Sequence, residues 1–215
     1  MFQSKVKVLL HSNDAILLFR GGEKGKQFIP GFGFAQKRVN ELFAMGMKEN
    51  PFAEAALMEV DLRLDEVDAY LGEAVTNAKK CLAEAAEDGM TVSLLTQIEP
   101  KEFEIDHASE YSNQLVRMML KSDKAFRYIR TAHSAGYMDT KLATEYIRGI
   151  RRKIRMVFDR ISLYAKKIDP NINRDEVLKK TAPAKAMIKK MGMPNKKILD
   201  GEITFRHKRI SELGL

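Results

Sequence analysis

Gln3-Ser4-Lys5-Val6-Lys7-Val8-Leu9-Leu10 alternates polar and apolar side chains with the period of a β-strand, and its reading decides the fold. Gln3, Lys5 and Lys7 fall on one face, and Val6, Val8 and Leu10 on the other. A single strand ahead of long helical sequence leaves its backbone N–H and C=O groups without an obvious mate. Two such strands from two copies, paired antiparallel about a twofold axis, make a ribbon that fits the DNA major groove with Gln and Lys side chains projecting from it. The plainer alternative is an edge strand of a small internal sheet with solvated lysines. A second extended stretch, Thr91-Val92-Ser93-Leu94-Leu95-Thr96-Gln97-Ile98, is the intramolecular competitor for its hydrogen bonds.

Helix signals dominate the rest. Ser12-Asn13-Asp14 offers N-caps for a short helix that stops at Gly21-Gly22. Residues 21–33 are rich in glycine and lysine and predict a mobile loop in which Lys24 and Lys26 meet phosphate. They do not form a nucleotide loop: Gly25-Lys26 is followed by Gln27 rather than Ser or Thr, and Gly31-Phe32-Gly33 lacks a third glycine. A second helix runs from about 34 to 48. Its amino end, at Gly33, Lys37 and Arg38, suits a DNA phosphate.

Asn50-Pro51 caps a long helix ending near Gly89, with an apolar stripe through Leu57, Val60, Leu64, Val67 and Leu71. Its acidic residues, from Glu54 to Asp68, read as a solvated face. Further helices are predicted over about 109–135, 141–168 and 174–191, followed by a basic tail. On the helix from 141, Arg148, Arg151, Arg152 and Arg155 form the densest phosphate-binding candidate.

The net charge of +8 is unevenly spread: +4 over residues 1–50, −11 over 51–110 and +15 over 111–215. The basic ends suit a polyanion, and the acidic middle suits folding back onto the basic helices. The lone Cys81 forms no internal disulfide, and no apolar run approaches the roughly 20 residues of a membrane span. A cytoplasmic protein without membrane attachment is expected. His11, His107, His133 and His207 have no metal-ligand spacing, and no Gly-x-Ser-x-Gly turn occurs. No metal, cofactor, small-molecule substrate or catalytic residue is predicted.

The motifs His11 to Gly21, Asn50-Pro51-Phe52-Ala53-Glu54, Thr131-Ala132-His133, Gly136-Tyr137-Met138-Asp139, Met191-Gly192 and Leu199-Asp200-Gly201 follow one another across nearly the whole chain. Together they resemble the AcaB-like family encoded on conjugative plasmids and integrating conjugative elements. The resemblance implies a bacterial transcriptional regulator of conjugative transfer, an activator acting as a homodimer on promoter DNA. It implies a mainly α fold: a ribbon-helix-helix-like DNA-binding unit over residues 1–50, extended by a helical bundle over 51–215 packed with it as one compact domain. On that fold Gln3, Lys5 and Lys7 read bases, and the segment from Gly33 to Arg38 grips phosphate. The rival expectation is an accessory protein of the transfer apparatus that binds an acidic partner, or DNA without sequence preference.

Overall fold

The computed structural model describes residues 5–25, 27–96, 99–106 and 109–208. Strand β1 (Lys5–Leu10) leads into α1 (Asn13–Arg20), whose N-cap is Ser12: its side chain accepts from the Ala15 N–H. The junction is held from elsewhere in the chain, because the backbone N–H groups of His11 and Ser12 both donate to buried Asp123, at 3.0 and 2.7 Å.

Residues 22–24 and 27–29 are paired strands rather than the expected loop. They fold into a hairpin of β2 (Gly22–Lys24) and β3 (Gln27–Ile29), closed at its base where Gly21 crosses Gly31. Gly21 has φ +67°, and a Cβ there would lie 2.4 Å from the Gly31 nitrogen, so only glycine allows the crossing. Phe28 meets the edge of Phe34 at 5.1 Å and seats the hairpin on α2 (Phe32–Met47).

Next come α3 (Pro51–Glu87), about 55 Å long at 1.5 Å per residue, and β4 (Lys101–Asp106). They are followed by α4 (Glu110–Ser134), α5 (Thr140–Lys167) and the short helices α6 (Arg174–Leu178), α7 (Ala182–Met191) and α8 (Lys196–Leu199). The single helix expected over 174–191 is broken between α6 and α7, where Lys180 adopts φ 51° and Pro183 opens the new helix.

Within the chain, residues 91–96 are not the mate of β1. That mate is β4, antiparallel, with Val6 opposite Ile105, Val8 opposite Phe103 and Leu10 opposite Lys101. The physical reason lies in β4 itself: Lys-Glu-Phe-Glu-Ile-Asp alternates in phase with β1, so Phe103 and Ile105 join Val6 and Val8 on the core face. Residues 91–96 form no strand. Instead Leu95 N–H donates to Thr131 Oγ1 at 2.9 Å, and Arg127 Nε donates to Leu95 O at 3.1 Å, which lays the segment along α4.

One hydrophobic core runs through the molecule. Leu10, Ile16, Leu18, Leu42, Leu57, Leu115, Phe126, Ile150 and Phe158 are all buried in it. Aromatic stacking links the ribbon to the helices: Phe103 of β4 lies on Phe19 of α1 (centroids 4.0 Å), and Phe19 on Phe32 at the start of α2 (4.7 Å).

The carboxylates of α3 divide: Asp65, Glu66 and Asp68 are exposed, as the sequence suggested, whereas Glu54 and Asp61 are buried. Fully buried Glu54 accepts two bonds from Arg174 (2.7 and 2.8 Å) and one from Lys208 (2.9 Å). Asp61 accepts the Tyr111 hydroxyl and the Arg206 N–H, each at 3.0 Å. Asp68 pairs with Lys121, Glu59 accepts the Tyr164 hydroxyl, and Asp65 takes Arg206 at 2.6 Å. The acidic middle folds back on the basic C-terminal half, as the charge distribution suggested.

Candidate nucleic-acid interface

Twelve positions carried the sequence reading, and the structure sorts them by what each cation already holds. Gln3 and Lys26 lie outside the described residues, as do the side chains of Lys5 and Lys24; the backbones of Lys5 and Lys24 stand in β1 and β2.

Lys7 projects from the outer face of the β1·β4 ribbon, with Leu9 on the same face, 44% exposed. Its Nζ donates to Glu102 at 2.8 Å, and Glu104 is its register partner. The hydrogen bond and charge of Glu102 raise the Lys7 pKa, so it stays protonated at any physiological pH. A face expected to be basic is therefore mixed, with lysine from one strand and glutamate from the other.

At the start of α2 the N-cap is Gly31, whose lack of a side chain leaves the first turn uncapped. Gly33 and Lys37 are exposed. Arg38 is committed within its own helix, donating to Glu41 at 2.7 Å and lying 5.3 Å over the Phe34 ring.

Along α5 the arginines divide into two sets. Arg151 reaches Asp14 of α1, which is 1% exposed, and Arg130 of α4 reaches the same carboxylate at 2.6 Å. Arg151 thus locks α1 to α5 rather than facing a ligand. Arg148, Arg152 and Arg155, at i, i+4 and i+7, fall on one exposed stripe opposite the apolar seam of Ile150, Ile154, Val157 and Ile161. None of the three forms an ion pair among the described residues. Asp159, near Arg155, has its pKa raised by burial, with Arg155 opposing the shift.

Two features escaped the sequence reading. Asp14 was read as one of three capping residues and is instead the carboxylate shared by Arg130 and Arg151; helix-cap statistics carry no signal for this. The strand at 101–106 did carry a signal, since Phe103 and Ile105 alternate with charged residues after Pro100. Among the described residues no group of three or more His, Cys, Asp or Glu side chains is placed to hold a metal ion, and no helix is long and apolar enough to cross a membrane.

The arrangement defines a mainly helical protein with a small two-stranded ribbon and a stripe of uncommitted arginines on a long helix. Residues 1–210 match the family model described as transcriptional regulator AcaB, and the chain belongs to that family. A solved structure, selenomethionine-containing AcaB from uropathogenic E. coli, has a similar fold: TM-score 0.51 at 15% identity, covering 94% of this chain and 96% of that one. No curated protein matches the chain.

Proposed function

We propose that the protein is a sequence-specific DNA-binding regulator that acts as a homodimer and activates conjugative transfer genes. The observation that carries the reading is the stripe of Arg148, Arg152 and Arg155, three exposed guanidinium groups that form no ion pair among the described residues, on a chain of a transcriptional-regulator family. Salt-dependent attraction to a phosphate backbone is the chemistry such a stripe supplies. The uncapped start of α2, with Gly33 and Lys37 exposed, adds backbone N–H donors for a phosphate. Sequence preference comes from the ribbon, through Gln3, Lys5 and Lys7, with lysine able to donate to guanine and glutamine to adenine.

The strand–helix–helix order of β1, α1 and α2 supports the ribbon-helix-helix reading, with the β2–β3 hairpin inserted between the two helices. A two-stranded sheet pairs only one edge of each strand, and no strand covers the other edge of β1 among the described residues. That edge is where a second copy adds. The activator role and the conjugation targets rest on the family resemblance alone.

The test is a gel-shift titration of promoter and scrambled fragments, with light scattering for mass. Lys5→Ala with Lys7→Ala is expected to abolish the preference for promoter while the mass stays that of a dimer. Unchanged promoter affinity in this variant removes the ribbon from the reading.

One observation favours a second reading. Glu102 neutralises Lys7, which leaves the arginine stripe as the dominant attraction and predicts DNA binding without sequence preference. Equal affinity for the two fragments selects it.

A further inference from the structure

Residues 166–197, from the end of α5 through the start of α8, carry ten basic and three acidic side chains, close to the whole net charge of the protein. The acids of this lobe are already used. Asp169 accepts the Asn171 N–H at 3.0 Å, Glu176 completes the capping box of α6, and Asp175 lies 3.7 Å from Lys179. Arg174 is taken by buried Glu54.

The lysines are left over, and the fold gathers them. Lys190 Nζ donates to Lys167 O at 2.8 Å, joining the carboxyl end of α7 to that of α5. Met191 to Asn195 then turn against Tyr164 and the start of α3, which brings Lys196 and Lys197 to the same end of the molecule. Lys166, Lys185, Lys189, Lys190, Lys196 and Lys197 are all exposed, and none forms an ion pair among the described residues. Lysines in the last turn of a helix complement its dipole, but each dipole end amounts to roughly half a charge. Two helix ends therefore account for only a small part of this surplus.

The lobe and the ribbon stand at opposite ends of α2. Phe32 at its start joins the stack through Phe19 to Phe103 of β4, whereas Met45 and Lys48 at its end abut Ala165, Ile168 and Pro170. Sixteen helical residues separate the two ends by about 24 Å, the length of roughly 7 base pairs at 3.4 Å each.

We infer that this lysine lobe is a second nucleic-acid contact, which grips the phosphate backbone of duplex flanking the base pairs met by the ribbon, without reading sequence. The inference rests on the DNA-binding reading above. The lobe's lysines act as point charges that displace condensed counterions, so their contribution appears in the salt dependence of binding.

The test measures affinity of the full chain for a random-sequence 40-base-pair duplex by fluorescence anisotropy across a salt series. Three proteins are compared: wild type, a lobe variant (Lys189→Gln, Lys190→Gln, Lys196→Gln, Lys197→Gln) and a stripe variant (Arg148→Gln, Arg152→Gln, Arg155→Gln). Circular dichroism melts check that each is folded, and Lys166→Gln with Lys185→Gln is an independent lobe variant if the first is not. The slope of log K against log salt is expected to fall by about 3 to 4 in the four-lysine variant, at about 0.9 per phosphate contact, on top of a separate fall in the stripe variant. An unchanged slope in the lobe variants, with a lowered slope in the stripe variant, overturns the lobe and leaves the DNA-binding reading standing. Wild type that does not bind the duplex at any salt overturns both the lobe contact and its basis.

Discussion

Arg130 of α4 reaches Asp14 of α1 at 2.6 Å, and Arg151 of α5 closes on the same carboxylate, which is 1% exposed. One buried charge therefore fixes three helices. Asp14→Asn removes the charge behind both bonds and turns one of the two acceptor oxygens into an NH2 donor facing a guanidinium, and is expected to destabilise the fold by about 2 kcal/mol, the usual worth of hydrogen bonds to charged groups. Urea denaturation measures it; a loss below about 0.5 kcal/mol shows that the arginines are served equally well by water.

The same geometry separates neighbours on α5. Arg151→Ala is expected to lower stability and leave the salt slope of DNA binding within error, because its guanidinium is already engaged. Arg152→Ala should lower the slope by about 0.9 with an unchanged melt. Reversed outcomes for the two variants would exchange their roles.

Across the ribbon, Glu102→Gln frees Lys7 from its carboxylate. The pair is exposed, so the melt should be unchanged within error. DNA affinity should rise severalfold at low salt, since one negative charge leaves the face that meets phosphate and one lysine is released. Weaker binding would mean that Glu102 itself contacts the DNA.

Gly149 faces Tyr70 so closely that a Cβ would lie 2.7 Å from the ring carbon bearing the hydroxyl. That ring also takes Lys153 over its face at 5.3 Å and packs against Tyr146 at 5.9 Å. Gly149→Ala should cost about 1–3 kcal/mol as the ring is displaced. Combining it with Tyr70→Leu should recover part of the loss, which a double-mutant cycle reads directly.

His207 packs edge-on to Tyr111 at 4.8 Å, with a buried Nε2 that has no hydrogen-bond partner. Burial lowers its pKa below the ordinary 6.5. The folded state therefore binds this proton less readily than the unfolded chain. Stability is full above pH 6.5 and declines as pH falls through that value toward the lowered folded pKa. Asp61 has the opposite sign: burial raises its pKa above 3.8, so its protonation favours the folded state as pH falls. The loss on mild acidification thus belongs to the histidine, and His207→Phe should abolish it in denaturation series between pH 7 and 5.

Where punctuation is local, the sequence reading matches the structure. Ser12 and Asn50 cap their helices as expected, because a cap is decided within four residues. The partner of β1 was not legible in that way. Residues 91–98 and 101–106 both look extended, and only the in-phase Phe103 and Ile105, buried against Val6 and Val8, decide between them. The arginines pose the same difficulty at the interface. Arg151 and Arg152 are adjacent in sequence, yet one faces a buried carboxylate on another helix and the other faces solvent. A basic run shows how much charge is present; which cations stay available depends on contacts made far along the chain.

Phe205 is fully buried against Phe43 of α2 and Tyr111 of α4, and Arg206 and Lys208 tie the same segment to α3. During synthesis, α2, α3 and α4 leave the ribosome long before that ring does. The nascent chain therefore carries an unfilled apolar socket on those three helices until residues 205–208 have been made and can plug it.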